Sequence, residues 1–178
     1  MNIMYAVQTE DPVALEPIFL EVIDSRPNKD IVTQSVKNTE LFHDVYGQLN
    51  LSVKAHDGRS TQLQGAEVDR AFFEAFRARF ESLGIPVTPA EDQAQMKLSI
   101  YIDAFILDIR DKTFSSKVEY HAEFYRGEKL FLKGSYLGEA SDQSVILQPK
   151  KEKGEEVLGN AFSQALNKLE PKSFTKGL

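Results

Sequence analysis

Two short triplets place an acid and an arginine two residues apart: Asp24-Ser25-Arg26 and Asp108-Ile109-Arg110. On an extended chain, side chains at positions i and i+2 project from the same face, so each triplet can form an ion pair within itself or across strands. If the triplets met at neighbouring strand ends, they could bind a polar ligand or serve a small hydrolase or transferase. The structural alternative is that each triplet marks the point where a strand leaves the core.

The other residue types do not form a second catalytic or metal-binding motif. The chain has no cysteine, which excludes disulfides, thiolate nucleophiles and cysteine-based zinc sites. It has no HExxH motif, no histidine pair at ligand spacing and no G-x-S-x-G motif, so we predict no metal and no cofactor. Residues 57–65, DGRSTQLQG, lack the lysine of a phosphate-binding loop, and we interpret them as a strand-to-helix turn in which Ser60 or Thr61 bonds free backbone N–H groups. The histidines, His43, His56 and His121, are far apart in sequence, and the last two lie at predicted solvent-facing strand positions.

Composition narrows the class of protein. The chain has 178 residues, of which 42% are hydrophobic and 27% charged, as in an ordinary globular domain. Its net charge of −6 argues against non-specific nucleic-acid binding, which depends on neutralising phosphates. No run approaches the roughly 18 apolar residues of a membrane helix. The start, MNIMYAVQTEDP, lacks the pattern of a signal peptide, so we expect either a cytoplasmic protein or a targeting segment outside this chain.

Apolar periodicity predicts five strands. One run, at 18–23, is apolar on both faces and is typical of a central strand. The others alternate apolar and polar residues with a period of two, which is typical of half-buried strands. They lie at 49–55, 96–110, 118–124 and 130–136. For the last two strands we predict a three-residue connection at 127–129 that pairs Phe124 with Leu132 and Tyr120 with Tyr136.

The longest run changes phase within itself. Even-numbered positions from Met96 to Ile106 are apolar, whereas Leu107 and Ile109 are apolar at odd positions. A one-residue slip turns every later side chain to the opposite face, so we predict a β-bulge at 105–107 that keeps the apolar side inward. The alternative is a strand covered on both faces at this point. The position of the slip decides where Asp108 and Arg110 point, and we expect them to face solvent.

Two segments have helical periodicity. In residues 66–84, AEVDRAFFEAFRARFESLG, the phenylalanines form one apolar stripe and Gly84 lies where a left-handed C-terminal cap is expected. A second helix is predicted at 154–169. The fold class is therefore α+β: two layers, with a largely antiparallel β-sheet and two helices packed on one face. We predict an irregular lead-in at 1–17, a single domain at 18–170 and a polar tail at 171–178.

The chain resembles a known family in the order of these elements and in the segment Val22-Ile23-Asp24-Ser25-Arg26-Pro27. It resembles the YajG-type outer-membrane lipoproteins of Gram-negative bacteria, in which an Asp-x-Arg-Pro-like turn, a helix ending in glycine, a β-meander and a C-terminal helix follow one another. The resemblance extends from residue 18 over most of the chain, by pattern more than by identity. It implies an envelope protein without catalytic activity. It also implies a lipid anchor upstream of Met1, since this chain contains no cysteine.

We therefore expect a non-enzymatic binding or scaffolding domain of the bacterial cell envelope, on the periplasmic side of the outer membrane. Its partner would be a protein or another envelope component, and its contact with the membrane would be through the lipid anchor only. The candidate binding residues are Asp24, Arg26, Asp108 and Arg110. One alternative is a hydrolase or transferase that uses these four residues, and another is a structural homo-oligomer formed through an exposed strand edge. A cytoplasmic location is the alternative for the compartment.

Overall fold

The computed structural model describes residues 1–8, 10–43, 45, 47–55, 58–142 and 151–175. Eight strands and three α-helices occur within these residues, together with 3-10 helices at Glu91–Gln93 and Pro171–Thr175. The strands are β1 (Asn2–Ala6), β2 (Ile18–Asp24), β3 (Leu49–Lys54), β4 (Ser60–Ala66), β5 (Val87–Thr88), β6 (Met96–Arg110), β7 (Thr113–Arg126) and β8 (Lys129–Ser141). The helices are α1 (Gln34–Lys37), α2 (Val68–Ser82) and α3 (Lys151–Asn167). The predicted α+β class is confirmed.

A five-stranded sheet in the order β5-β2-β6-β7-β8 is the main layer. Strands β6, β7 and β8 form the predicted antiparallel meander, whereas β2 runs parallel to β6 and to the two-residue β5. The central position predicted for 18–23 is confirmed, because β2 has a neighbour on each side. The sheet is mixed, and its longest ladders are antiparallel.

Helices α2 and α3 cover one face of this sheet. Three phenylalanines of the α2 stripe are fully buried as predicted, and Phe73 is half-buried. The Phe72 ring makes edge contacts with Phe105 and Tyr120 of the sheet and with Phe162 of α3. Each such aromatic pair stabilises the fold by about 0.5–1.5 kcal/mol beyond the contribution from burying the rings. Gly84 has a φ of 78°, which confirms the left-handed cap at the end of α2. The aromatic stripe is therefore core.

A second sheet, in the order β1-β3-β4, is absent from the sequence-based prediction. The irregular lead-in was wrong for Asn2–Ala6, which pairs in parallel with β3 and buries Ile3 and Tyr5. The strand-to-helix turn at 57–65 was also wrong from Ser60 onward, because β4 pairs antiparallel with β3 there. Neither Ser60 nor Thr61 caps α2, whose N-cap residue is Glu67. Strand β4 is mostly exposed, so its hydrogen bonds to β3, rather than apolar burial, define it.

Residues 171–175 pack against the sheet, although their polar composition predicted an exposed tail. In the predicted polar tail, Pro171–Thr175 forms a 3-10 helix and the Phe174 ring is fully buried. It stacks on Phe124 of β7 at 4.4 Å between ring centroids. The tail prediction was wrong for these residues, because one large apolar side chain is enough to dock the turn onto the sheet. Residues 176–178 lie outside the described residues.

The β-bulge exists, but two residues earlier than predicted. The β6–β7 register shifts between Ile102 and Ala104, so Asp103 is the extra residue. Before it, even-numbered side chains face the helices, and after it Phe105 and Leu107 do so, with at most 1% exposure. The residue slip consequently keeps the apolar side inward along the whole strand.

The β7–β8 connection also differs in detail. Phe124 pairs with Leu132 and Tyr120 pairs with Tyr136, as predicted. The connection itself has two residues, Gly127 and Glu128, because Arg126 pairs with Lys129, so the three-residue prediction was wrong. A register shift after Phe124 leaves Phe131 as the extra residue and restores the predicted pairing.

Candidate functional site

The first Asp-x-Arg triplet forms a buried, two-bond ion pair at the end of β2. The Nε and one terminal nitrogen of Arg26 donate to the two carboxylate oxygens of Asp24 at 2.9 and 2.8 Å. The Arg26 backbone N–H donates to the same carboxylate at 3.1 Å. The Lys29 ammonium adds an ion pair at 3.2 Å. Arg26 is only 5% exposed, so this guanidinium is part of the interior.

The other terminal nitrogen of Arg26 fills a gap in the sheet. Strand β2 stops pairing with β6 where the Ser25 N–H donates to the Ile102 carbonyl. Pairing resumes at Ile31, whose carbonyl accepts the Leu107 N–H, and continues with the Thr33 N–H, which donates to the Leu107 carbonyl. Between these points Arg26 donates to the Phe105 carbonyl at 3.2 Å. A buried carbonyl without a donor costs about 1–3 kcal/mol, so the guanidinium supplies the hydrogen bond that a regular strand would provide.

The second triplet lies on the opposite face of the sheet from the helices. The Arg110 Nε donates to the Asp108 carboxylate at 3.0 Å, and the Arg110 side chain is 85% exposed. The other Asp108 oxygen accepts the Thr33 hydroxyl at 2.6 Å. The same hydroxyl accepts the Val36 N–H and caps α1. Asp108 consequently orients the start of α1, while Arg110 is in solvent, as expected from the sequence.

Both carboxyl groups are held in their ionised form. Burial acts to raise the pKa of Asp24, but hydrogen bonds from the Arg26 side chain and backbone and from Lys29 outweigh it, so the pKa lies below its usual value. Burial likewise opposes ionisation of Asp108, and hydrogen bonds from Thr33, from the Ile109 backbone and from Arg110 lower the pKa below its usual value. A general acid needs a raised pKa, so neither group is prepared for that role.

The two triplets brace one segment without meeting. Arg26 fixes the start of the segment 25–33 to β6, and Asp108 fixes its end through Thr33. Asp24 and Arg26 line a cavity of about 210 Å³ with Lys29 and the start of α2, and Asp108 lines a separate cavity of about 350 Å³. The hydrolase hypothesis requires the four residues to share one concave pocket, and the described residues do not show one. Ligand binding by these residues stays a prediction.

The sheet face opposite the helices carries polar and aromatic groups that are not among the predicted site residues. The Tyr101 and His121 rings stack at 4.7 Å between centroids, and His121 Nδ1 lies 2.8 Å from the carboxylate of Asp103. Glu123 accepts bonds from the Lys133 ammonium and the Tyr125 hydroxyl, both at 2.6 Å. We name this face the outer face. Its signal in the sequence is the set of polar positions that alternate with the buried ones.

Further along the outer face, Lys97 connects three side chains. Its ammonium lies 3.1 Å from Glu91, 3.3 Å from Glu21 and 5.6 Å from the centre of the Phe19 ring. The hydrogen bond from Lys97 to Glu91 and the charge of Glu21 raise the Lys97 pKa. Opposite charges and aromatic rings therefore alternate across strands β2, β6 and β7.

The described residues contain neither a metal-binding cluster nor a membrane-spanning helix. No group of three or more His, Cys, Asp or Glu side chains is arranged to hold a metal ion there. In the same residues, no helix combines the length and the apolar character needed to cross a membrane. His43 Nδ1 lies 2.8 Å from the Glu40 carbonyl, and His56 lies outside the described residues.

Comparisons with known proteins give fold similarity at low sequence identity. No protein-family model and no curated protein matches the chain. The fold is similar to protein XCC0632 from Xanthomonas campestris, family model DUF330, with a TM-score of 0.48 and 13% identity over 98% of this chain and 96% of that one. It is also similar to lipoprotein GNA1162 from Neisseria meningitidis, with a TM-score of 0.43 and 8% identity over 75% of this chain and 88% of that one. Neither similarity assigns a function, and the YajG-type resemblance stays a prediction.

Proposed function

We propose that the chain is a non-enzymatic binding or scaffolding domain of the bacterial cell envelope, and that its outer face binds an envelope component. The observation that carries the proposal is that, among the described residues, helices α2 and α3 cover only one face of the five-stranded sheet. Helices α2 and α3 bury one face, whereas side chains such as Tyr101, His121 and Tyr125 remain half-buried on the other. A half-buried aromatic with a polar edge is the type of residue that protein interfaces favour.

Among the four predicted binding residues, Arg110 is the best placed to meet a partner. Its side chain is 85% exposed, and only one of its nitrogens is used by Asp108. Asp24 and Arg26 instead support the interior, because they bond to each other and Arg26 also donates to the β6 backbone. We expect substitution of Arg110 to weaken binding and substitution of Arg26 to weaken folding.

Photo-crosslinking in the native bacterium tests the binding surface. Benzoylphenylalanine replaces Tyr101 on the outer face, and a matched variant carries it at Arg70 of α2, whose side chain is 64% exposed. We expect a discrete crosslinked product from position 101 and none from position 70. Equal crosslinking at the two positions, or none at either, contradicts the assignment of the outer face.

Metabolic labelling tests the envelope location, which the YajG-type resemblance supports. The full native gene product is expressed in its own host with an alkyne-bearing fatty acid, and the cell envelope is separated from the cytoplasm. We expect a lipid-labelled protein in the envelope fraction and protection from external protease until the outer membrane is opened. An unlabelled protein in the cytoplasm excludes the lipoprotein assignment.

A further inference from the structure

Strand β8 ends the five-stranded sheet with one side of its backbone unpaired by another described strand. It runs for 13 residues, from Lys129 to Ser141, and pairs with β7 alone. Most of its residues are exposed or half-buried, including Leu130 at 44% and Phe131 at 36%. A strand of this length at a sheet edge is a template for pairing with another chain.

Two hydrogen bonds show which backbone groups face the open edge. The Asp142 N–H donates to the Phe114 carbonyl of β7, which directs the even-numbered residues toward β7. The Lys168 ammonium instead donates to the Leu137 carbonyl at 2.6 Å from outside the ladder. The odd-numbered residues therefore present their N–H and C=O groups to the edge. Between Lys133 and Ser141, where the β7–β8 register is regular, there are five of them.

We propose that this edge pairs with β8 of a second copy of the chain, antiparallel, with the two-fold axis at Tyr136. In this register Lys133 lies opposite Glu139 of the second copy, and Ser135 lies opposite Leu137 of the second copy. All four present their backbone groups to the edge, so they form hydrogen-bonded pairs. The two five-stranded sheets become one continuous sheet, and the contact is isologous, as a two-fold dimer requires.

Charge complementarity selects this register. Within one copy, Lys133 of β8 bonds to Glu123 of β7 at 2.6 Å, and Glu139 of β8 pairs in the ladder with Lys117 of β7. Across the proposed interface the outer face then has the order Glu123, Lys133, Glu139 and Lys117, with the last two from the second copy. Acids and bases alternate, and the two-fold axis repeats the row. Moving the axis by one residue places Glu139 opposite Phe131 or Ser135, and the ion pair is lost.

The helix side of β8 is compatible with the same register. On this side the two-fold axis places Tyr136 opposite Tyr136 of the second copy. It likewise places Gly134 opposite Gly138, and Leu132 opposite Ala140, of the second copy. These pairs contain only small or apolar side chains and one aromatic pair. A cavity of about 710 Å³ lies between residues 139–141 and α3. It leaves room on the helix side of an added strand, and Lys168 must release the Leu137 carbonyl for that strand to pair.

Complementary charge reversals test the proposal without reference to the envelope or to any other partner. Sedimentation velocity is measured on the full chain over a concentration series for the wild type, Lys133→Glu, Glu139→Lys and a 1:1 mixture of the two variants. We expect the wild type to dimerise. Each variant alone places two like-charged pairs across the axis, and we expect its association constant to fall about tenfold or more. The mixture restores both ion pairs, so a 1:1 heterodimer is expected.

A control variant and a second measurement distinguish loss of the interface from loss of folding. Lys129→Glu changes the same charge on the same strand beyond the proposed register and should leave dimerisation unchanged. Circular dichroism checks that each variant is folded. Because the chain has no cysteine, a mixture of Ser135→Cys and Leu137→Cys is expected to form a disulfide-linked dimer, whereas each alone should not. A monomeric wild type at all concentrations, or no heterodimer and no disulfide in the mixtures, overturns the proposal.

Discussion

The two Asp-x-Arg pairs have the same spacing and different surroundings. In the first pair, Arg26 is 5% exposed and binds Asp24 through two nitrogens and the Phe105 carbonyl through a third. In the second pair, the Arg110 side chain is 85% exposed and bonds to Asp108 through one nitrogen. The spacing of the triplet explains why each acid meets its own arginine, because residues i and i+2 share a face.

The two pairs differ in burial because different parts of the backbone lie next to them. Arg26 lies over the stretch of β6 where the neighbouring strand is interrupted, so its donors replace missing backbone donors. Arg110 ends β6 beside a hairpin turn, where water can satisfy any polar group. A guanidinium in the first position is therefore part of the fold, and one in the second is available to a partner. The comparison predicts effects of very different sizes.

The largest effect concerns the bulge that sends the second pair to the outer face. Deletion of Asp103 removes the extra residue and leaves the apolar sides of both halves of β6 inward, so we expect a folded protein that is less stable by about 1–2 kcal/mol. Deletion of Tyr101 can also remove the bulge, but it then turns the Asp103 carboxylate to the apolar side and Ile102 to the outer face. Exposing a buried isoleucine costs about 1.5–3 kcal/mol and burying a carboxylate without a partner costs more, so we expect this variant to lose much more stability than the Asp103 deletion.

Circular dichroism and urea unfolding of both deletion variants provide the measurement. The two deletions remove one outer-face residue each from the same strand, so they are matched in chain length. Equal loss of structure in the two variants contradicts the assignment of Asp103 as the extra residue.

The next effect compares the two arginines directly. Arg26→Met removes the donors that satisfy Asp24 and the Phe105 carbonyl, and breaking a buried pair of this kind costs about 3–5 kcal/mol. Arg110→Met removes an exposed pair, and we expect a change within about 0.5 kcal/mol. Urea unfolding at neutral pH measures both free energies. Similar losses in the two variants mean that Arg26 does not have the structural role assigned to it.

Sequence patterns were sufficient for the features that depend on one segment at a time. The alternation in β6, the phenylalanine stripe of α2 and the cap at Gly84 are local, and the structure confirms each of them. The side of the sheet on which Asp108 and Arg110 lie was also predictable, since it follows from the phase change alone. The predicted bulge lies two residues too far along the strand. Because Phe105 and Ile106 are both apolar, the sequence permits the extra residue on either side of them.

Features that depend on a distant neighbour were not predictable. Strand β4, with the sequence STQLQGA, has little apolar alternation and is a strand because β3 pairs with it. Strand β1 ends at Ala6, before Pro12 and Pro17, so these prolines disfavour regular structure only in the later part of residues 1–17. The bond from Arg26 to the Phe105 carbonyl requires knowledge that the chain leaves β6 after Ser25 and returns at Ile31, which no local pattern encodes.

A smaller effect concerns acid. Both carboxyl groups have folded-state pKa values below their usual range, so each contributes stability above its unfolded pKa, near 4, and that contribution is lost as the pH falls through the folded pKa. We expect Asp24→Asn to be less stable than the wild type at pH 7 and to lose less on acidification to pH 3. Asp108→Asn should flatten the profile less, because the neutral Thr33 hydroxyl and the exposed Arg110 hold the Asp108 carboxylate, whereas the buried Arg26 guanidinium holds that of Asp24.

Urea unfolding of the three proteins at pH 7, 5, 4 and 3 gives the slopes. An Asp24→Asn profile parallel to that of the wild type shows that the ion pair does not contribute to the acid sensitivity. A flatter profile for Asp108→Asn than for Asp24→Asn reverses the order expected from burial.

The smallest effect lies just after the exposed pair, in the turn between β6 and β7. Asp111 and Lys112 have φ values of 48° and 66°, a left-handed conformation that Asn and Gly adopt at lower cost. The double substitution Asp111→Asn with Lys112→Gly is therefore expected to raise the free energy of unfolding by about 0.5–1 kcal/mol. Gly127→Ala in the β7–β8 turn is the converse control, because φ there is 55° and a side chain should lower stability by about 1 kcal/mol. If the double substitution raises the free energy of unfolding but Gly127→Ala does not lower it, backbone strain at positive φ is not the cause of the gain.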